Sequence, residues 1–313
     1  MAEADPMKGV VARLDELVAI RPRAGGGFAP GGKVRTHQLG GHRSGFRGRG
    51  MEFDEVRAYQ PGDDIRTIDW RVTARTGRAH TKLFQEERER PVLVLADARA
   101  AMRFGTRGCF KSVLAAQAAA ILSWVGIAGG DRVGGVVIGP AGVATFRPER
   151  SRRRILSFVK SIADATADAP RAGEPPLAAA IAHIRALARP GSLIFLVSDF
   201  FDLDDHAVRE VERLALQSHV TNLFVFDPLE AALPGAGSFP VTDGRIVARL
   251  DVDRPAARAV YAQRFQARRD AVERMSRERG MTFLPLDTGQ NPVDILHPER
   301  LGAKPSAAAR SAR

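Results

Sequence analysis

The sequence predicts an α/β domain with a doubly wound, mostly parallel sheet, which follows an N-terminal arm that is polar and rich in β-structure. Beyond the arm, short apolar runs alternate with segments of helical periodicity, a pattern typical of parallel sheets with right-handed crossovers. Two of these runs, 92–96 and 193–197, end in Asp97 and in the pair Ser198 and Asp199. Sheets of this class bind ligands at the carboxyl ends of their strands, so we expect the functional site there.

Each element of the domain has a local signal. Apolar runs of strand length indicate buried strands, and apolar side chains at spacings of three and four indicate helices. Gly139 and Pro140 make a turn, so that the run after it returns as a hairpin partner. The predicted strands are 92–96, 133–138, 143–146, 193–197, 223–226 and 281–286, and the predicted helices are 110–125, 177–188, 208–215 and 255–279.

Composition divides the chain into four parts. The arm is charged and turn-rich, with strand-like pieces at 55–59 and 80–84, and the tail ends in residues that cannot form a core. We therefore expect the tail to be disordered. The predicted parts are 1–33, with an amphipathic helix at 7–20 and a Gly-rich linker, then the arm at 34–90, the α/β domain at 91–289 and the tail at 290–313.

The charge of the chain limits the classes of partner. The 313 residues have a net charge of +11, which is compatible with an acidic protein, an acidic membrane surface or nucleic acid. Aromatic residues make up only 6%, so few rings are available to stack on bases. Nucleic acid is therefore not the expected partner.

Cysteine content and hydropathy indicate a cytoplasmic protein. The single Cys109 excludes an internal disulfide framework and fits a reducing compartment. The first 24 residues mix charged with apolar side chains, which is unlike a secretory signal. The uncharged run 112–130 has the length of a membrane span, but its Ala and Gly content and the strand-like runs beside it favour a buried helix. We expect no transmembrane segment.

Residues 105–112 differ at one position from the motif of a phosphate-binding loop. The motif G-x-x-x-x-G-K-[ST] requires glycine where this chain has Phe110, and a bulky side chain there keeps the backbone away from phosphates. We interpret Lys111 as a solvated residue in the first turn of a helix. The seven histidines show no metal-binding spacing, and Ser192 precedes a strand, unlike the nucleophile of a hydrolase. No enzymatic activity is expected.

Several blocks of sequence carry a resemblance to one family, the domain-of-unknown-function-58 family. The likeness extends from about residue 40 to residue 286. The blocks are RGMEF at 49–53, RAYQPGDDIR at 57–66, IDW at 68–70, TAR at 73–75, EERER at 86–90, the stretch 103–112, DRVG at 131–134 and DPLE at 227–230.

The resemblance implies a fold and a partner. Similar proteins contain a von Willebrand factor A-like domain, which would be the α/β domain of this chain. They tend to be encoded beside MoxR-type AAA+ ATPases, which are thought to act as chaperones in complex assembly or metal insertion. A MoxR-type ATPase is therefore an expected partner.

The resemblance also implies the place of a metal site. In A-domains a divalent cation is held by an Asp-x-Ser-x-Ser motif and by an Asp on a later strand, positions that correspond here to Asp97 and to Ser198 with Asp199. Arg99 and Ala101 stand where the two serines belong. We expect a degenerate, empty metal-ion-dependent adhesion site, in which Arg99 replaces the ion by pairing with Asp97 or Asp199. Capping of the following segment by these aspartates is an open alternative.

The charged block of the arm is interpreted as a docking surface for another protein. Acidic and basic residues alternate along it. An internal network of ion pairs and turns, with Trp70 as its anchor, is the alternative. The residues expected to bind a partner are Arg49, Glu52, Arg57, Asp63, Asp64, Arg66, Asp69 and Trp70 in the arm and Arg99 in the domain.

Together these observations predict a cytoplasmic, non-enzymatic adaptor that uses no cofactor. It would bind a MoxR-type AAA+ ATPase, and also other von Willebrand factor A proteins, in the assembly or maturation of a protein complex. The basic charge is compatible with peripheral membrane association. Two alternatives stay open: an A-domain that still uses Mg²⁺ to bind protein, and a basic nucleic-acid-binding protein.

Overall fold

The computed structural model describes residues 7–21, 28, 51–60, 65–86, 91–106, 108–233, 237–242, 247–253 and 255–296. The chain divides into two compact units, one made of residues 34–89 and the other of 1–33 with 90–313. The elements, in chain order, are α1 (Leu14–Ala19), β1 (Met51–Ala58), α2 (Trp70–Thr76), β2 (His80–Glu86), β3 (Pro91–Asp97), α3 (Lys111–Ala128), β4 (Arg132–Gly139), β5 (Gly142–Glu149), α4 (Arg152–Ala167), α5 (Leu177–Leu187), β6 (Leu193–Ser198), α6 (Asp205–Ala215), β7 (His219–Phe226), α7 (Pro228–Ala231), β8 (Ser238–Thr242), β9 (Val247–Asp251), α8 (Pro255–Glu278), β10 (Thr282–Asp287) and α9 (Pro292–Ile295).

The first unit, the arm, is an antiparallel pair of strands with a short helix in the connection. β1 and β2 pair along their length; β1 covers residues 55–58 of the piece predicted at 55–59, and β2 contains the piece predicted at 80–84. Asp69 caps α2, because its carboxylate accepts hydrogen bonds from the backbone N–H groups of the first turn. α2 is not among the predicted elements, since two turns of helix are too short to show a periodic apolar pattern.

The second unit is built on a six-stranded sheet with the order β10-β7-β6-β3-β4-β5. Neighbouring strands are parallel except β4 and β5, which form the predicted hairpin. This confirms an α/β domain with a mostly parallel sheet. Counted along the chain within this sheet, the order is 3-2-1-4-5-6, as in doubly wound nucleotide-binding folds. The order reverses between β3 and β6, so their carboxyl ends flank the crevice where such sheets bind ligands.

Helices cover both faces of this sheet. Successive side chains of a strand point to opposite faces, so β3 sends Val92, Val94 and Ala96 into one core and Leu93 and Leu95 into the other. The first core is closed by α1, α3 and α4, and the second by α5, α6 and α8. Burial on both faces explains why the strands read as nearly continuous apolar runs.

Helix α3 lies in the middle of the first core. Among the described residues it is the one helix long and apolar enough to cross a membrane, and 83% of that run is buried within the protein. Its apolar surface on every side suits this position between the sheet and the outer helices.

Apart from the short helices α2, α7 and α9, the elements missing from the sequence-based prediction are α4, β8 and β9. α4 has Ile155, Phe158 and Ile162 at the spacing of an amphipathic helix, and all three are buried, so the periodicity could have located it. β8 and β9 pair antiparallel, and the dipeptide Asp-Gly in the sequence between them is a signal that favours a hairpin and could have located the pair.

The N-terminal segment belongs to the domain, in contrast to the separate helix and linker predicted at 1–33. α1 is shorter than predicted, and its Leu17 is buried, with the Leu17 carbonyl accepting a 2.9 Å hydrogen bond from the indole N–H of Trp124. Phe28, in the predicted linker, is buried with its ring centroid 5.1 Å from that of Phe195. Apolar contacts thus fix this segment, while the rest of the linker lies outside the described residues.

The start of the predicted disordered tail is a further correction. α9 follows residue 290, and Leu296 is buried in the same core as α3. The apolar side chains of 292–296 are the physical reason, since they find a place in the core. Residues 297–313 lie outside the described part of the chain.

Candidate functional site

Asp97 and Ser198 meet in the crevice between β3 and β6. Each is the last residue of its strand, and the two strands are parallel neighbours. The hydroxyl of Ser198 donates a 2.7 Å hydrogen bond to Oδ2 of Asp97, and both side chains are buried. A hydroxyl bound to a buried carboxylate is one of the stronger hydrogen bonds in proteins, so the strand ends are held together here.

Arg99 lies between two carboxylates. Its Nε and Nη2 donate to Oδ1 and Oδ2 of Asp97 at 3.0 and 2.8 Å. On the other side, Nη1 and Nη2 donate to Oδ2 and Oδ1 of Asp202 at 2.6 and 2.9 Å. Nη1 also donates to the carbonyl of Pro175 at 3.3 Å. Because a guanidinium has five N–H donors, this one is fully satisfied in the buried crevice.

The pKa shifts show how strongly these charges depend on one another. Burial acts to lower the pKa of Arg99, but the charge of Asp97 and the hydrogen bonds to Asp97 and Asp202 raise it above its ordinary value. Burial likewise acts to raise the pKa of Asp202, while the hydrogen bonds and charge of Arg99 bring it below the ordinary value. Arg99 and Asp202 are therefore both charged at neutral pH.

This arrangement does not fit a hard divalent cation. Mg²⁺ needs a shell of oxygen ligands, whereas here a guanidinium already binds both carboxylates that face the crevice. The nearby carboxylate of Glu174 accepts from the backbone N–H of Ala100 at 2.9 Å. Within the described ranges, no group of three or more His, Cys, Asp or Glu side chains is placed to hold a metal ion.

Asp199 belongs to a second buried network and not to the Arg99 cluster. Its Oδ2 accepts a 2.7 Å hydrogen bond from the ammonium group of Lys111, which also lies 3.0 Å from Oε1 of Glu230. Of the two pairings expected for Arg99, the one with Asp97 is present, and the second carboxylate is Asp202 in place of Asp199.

Lys111 is buried, which corrects the interpretation of this residue as solvated. Its side chain is only 2% exposed. It is the first residue of α3, where the partial positive charge of the helix N-terminus disfavours a cation. The carboxylates of Asp199 and Glu230 compensate for this. A lone lysine at the start of a long uncharged helix was the signal in the sequence, because such a charge needs a partner.

The DPLE block at 227–230 completes this second network. Asp227 and Glu230 cap α7, and Oε1 of Glu230 also accepts from Nη2 of Arg268 at 3.1 Å. The Asp227 carboxylate accepts hydrogen bonds from both Thr106 and Thr288. Burial would raise the pKa of Asp227, but the bonds from these two threonines lower it. Two blocks that carry the family resemblance, 103–112 and 227–230, thus meet at the carboxyl edge of the sheet.

The turn after β6 brings an aromatic residue to the surface. Phe200 has φ +52°, which is unfavourable for a residue with a Cβ, by about 1–2 kcal/mol. The Ser198 hydroxyl accepts from the backbone N–H of Phe200 and the Asp199 carboxylate from that of Phe201, and these bonds hold the turn. As a result Phe200 is buried, while Phe201 is 67% exposed beside the site.

The predicted partner-binding residues of the arm belong to the other unit. Trp70 opens α2 and is 67% exposed, next to its capping residue Asp69. Arg66 is exposed, and Arg57 donates to the carbonyl of the next residue at 3.1 Å. Glu52 lies in β1. Arg49, Asp63 and Asp64 lie outside the described residues.

The buried ion pairs of Lys111 predict a large loss of stability for Lys111→Met. The substitution leaves Asp199 and Glu230 without their cation, which should cost about 3–5 kcal/mol in the free energy of unfolding. The matched control is Lys160→Met, because Lys160 is also 2.7 Å from a carboxylate, that of Asp164, but in solvent. That variant should lose less than about 1 kcal/mol. Urea unfolding of both variants measures this, and equal losses would contradict the account.

The lowered pKa of Asp202 predicts a stability difference that depends on pH. A carboxyl whose pKa is lower in the folded state stabilises the fold above its ordinary pKa of 3.8, and this contribution disappears as pH falls through the folded value. Asp202→Asn should therefore be less stable than wild type at neutral pH, and the difference should shrink below about pH 4. Urea unfolding across this range tests it. A difference that stays constant down to about pH 3 would be against the Arg99–Asp202 pair.

The position of Arg99 predicts how the protein responds to magnesium. Wild type should gain no thermal stability from Mg²⁺, since the guanidinium occupies the crevice. Arg99→Ser removes this cation and leaves Asp97, Asp202 and the Ser198 hydroxyl facing one another. Its melting temperature should rise with Mg²⁺, because an ion that binds only the folded state stabilises it. A rise in wild type would show that the protein itself still binds the metal.

Comparisons with known proteins point to one family. The profile of the family described as "Protein of unknown function DUF58" matches residues 55–271. The uncharacterized proteins Rv1480 of Mycobacterium tuberculosis and Mb1516 of Mycobacterium bovis are each 32% identical over 254 residues, which cover 80% of this chain and 79% of the relative. Among solved structures, BatB from Bacteroides thetaiotaomicron aligns at TM-score 0.44 and 16% identity, over 71% of this chain and 100% of its own. An aerotolerance-related membrane protein from Bacteroides fragilis aligns at TM-score 0.43 and 16% identity, over 68% of this chain and 98% of its own. The profile match and the mycobacterial relatives show that the chain belongs to the DUF58 family.

Proposed function

We propose that this chain is a non-enzymatic, protein-binding adaptor that works in the cytoplasm with a MoxR-type AAA+ ATPase, in the assembly or maturation of a protein complex. Its α/β domain is, in this proposal, a von Willebrand factor A-like domain with a degenerate metal site. The expected partner follows from the family resemblance. The way of working follows from the geometry at the carboxyl edge of the sheet.

One observation carries the proposal: the buried cations at the carboxyl ends of the strands are bound to groups of the protein itself, and one of them fills the ligand crevice. Arg99 uses all five donors on groups of this chain, and Lys111 is held between two carboxylates. A catalytic acid, base or nucleophile must reach a substrate, and these charged groups are occupied and buried. This supports a role in which the edge of the sheet presents a fixed surface.

Exposed apolar side chains support protein binding. Phe201 lies on the turn beside the crevice, and the arm carries Ile65 and Trp70, which are 64% and 67% exposed. Aromatic residues and arginine are enriched in the centres of protein interfaces and supply much of their binding energy. Each of the two units therefore offers an anchor for a partner.

The strand order supports the A-domain assignment. The residues that correspond to the metal motif, Asp97 and Ser198, lie at the two strand ends where the order of the sheet reverses. The resemblance requires them at this place. The loss of the motif's hydroxyl groups then distinguishes this chain from an A-domain that depends on Mg²⁺.

The proposal predicts capture of a MoxR-type ATPase from the same genome by the full chain. Affinity-tagged protein should retain the ATPase in at least one of three conditions: without nucleotide, with ADP, or with a non-hydrolysable ATP analogue. Trp70→Ser should reduce the captured amount about tenfold, since an exposed aromatic anchor is lost.

Leu216→Ser is the matched control, because it also replaces an exposed apolar side chain, here 77% exposed at the end of α6. This variant should capture as much ATPase as wild type. Absence of capture in all three conditions, with both proteins folded, would refute the proposed partnership.

A further inference from the structure

A cleft of about 270 Å³ opens between the turn after β6 and helix α8. We call it the Phe201 cleft. Four of its lining residues are apolar, two are arginines, and none is acidic. The lining residues are Phe200, Phe201, Leu203, Arg264, Arg268 and Ala271.

We propose that the Phe201 cleft binds an acidic side chain of a partner protein, with the carboxylate at Arg264 and an adjacent apolar side chain against Phe201. This rests on the proposed function, since it specifies the chemistry by which the adaptor would recognise a partner. The carboxylate would come from Asp or Glu in the bound segment.

The charges around the cleft leave one cation without a counter-ion. Lys111 and Arg268 share the carboxylate of Glu230, and Asp199 supplies the second negative charge. The positive charges of Lys111 and Arg268 are thus balanced by two carboxylates. Arg264 adds a further positive charge on the same face of α8, one turn before Arg268. It is exposed and makes no ion pair within the described part of the chain.

Arg268 is placed to support an anion at Arg264. Its guanidinium lies 5.7 to 5.9 Å from the ring centroids of Phe201, Phe224 and Phe265, so its orientation is fixed. Its Nε is buried and has no hydrogen-bond partner within the described residues. An anion bound at Arg264 would therefore also be attracted by the guanidinium of Arg268, whose orientation is already fixed.

The apolar wall determines what kind of anion fits. Phe201 is 67% exposed on one side of the cleft. Val260 does not line the cleft, but it is 49% exposed one turn before Arg264 on the same side of α8. When an acidic residue of a partner binds in the cleft, an apolar residue next to it in the partner covers the exposed surface of Phe201. A nucleic acid, in contrast, requires a series of phosphate contacts and rings for stacking, which a single cleft does not supply.

Selection from a phage-displayed random peptide library on the full chain tests this inference. The selected peptides should carry Asp or Glu beside a large apolar residue. Fluorescence anisotropy should then show affinity about tenfold weaker for Arg264→Glu and for Phe201→Ser. The matched control is Arg277→Glu, which makes the same charge change at an exposed position on the opposite side of α8 and should bind as wild type does.

A charge exchange makes the test independent of the stability of any variant. A selected peptide in which the acidic residue is changed to Lys should lose affinity for wild type and regain it for Arg264→Glu. Selected peptides without an acidic residue, or binding that is unchanged by Arg264→Glu, would overturn the inference. So would Arg264-dependent binding to phosphatidylglycerol vesicles or to single-stranded DNA in the absence of peptide binding.

The same variant separates this inference from the proposed function. If wild type and Arg264→Glu capture the ATPase equally, the adaptor role stands and the Phe201 cleft is not the recognition site. If peptides bind in an Arg264-dependent way but no ATPase is captured, the inference stands and the proposed partnership falls.

Discussion

The bidentate pairing of Arg99 with Asp97 and Asp202 is the interaction on which the rest of the site depends. A doubly wound sheet collects the ends of its strands in one crevice, and this chain places two carboxylates there. Without a cation they would repel each other, and the buried Asp97 carboxylate would be left without a counter-charge. The guanidinium removes this conflict, and its bond to the Pro175 carbonyl, with that of Asp202 to the N–H of Leu177, also holds the start of α5.

Lys111 neutralises a second pair of carboxylates, those of Asp199 and Glu230, as Arg99 neutralises those of Asp97 and Asp202. Arg99 lies just after β3 and Lys111 opens α3, and each cation binds two carboxylates from different parts of the chain. Buried charges of this kind stabilise less than their short distances suggest, because desolvation opposes the attraction. Their effect is on geometry: they fix the turn of Phe200 and leave Phe201 exposed beside α8. A fixed surface suits recognition by docking.

Local patterns in the sequence are sufficient for the strands and for part of the site. The apolar runs ending in Asp97 and Ser198 place both residues at the edge of the sheet, because parallel strands end on the same side. The partners of Asp202, Lys111 and Arg268 could not be identified in this way. These partners lie far apart in the sequence, from 38 positions for Arg268 with Glu230 to 119 for Lys111 with Glu230, and no local pattern encodes such contacts. The regular apolar spacing of α4 could have predicted that helix. The burial of Leu296, in contrast, depends on the space available in the core, which the sequence does not show.

The central claim, that Arg99 stands in place of a metal ion, is tested most directly by crystals of the wild-type chain soaked in Mn²⁺. Manganese has the same preference for oxygen ligands and gives an anomalous signal. We expect guanidinium density between Asp97 and Asp202 and no anomalous peak there. An anomalous peak with octahedral coordination at this position, and Arg99 displaced from it, would contradict the account.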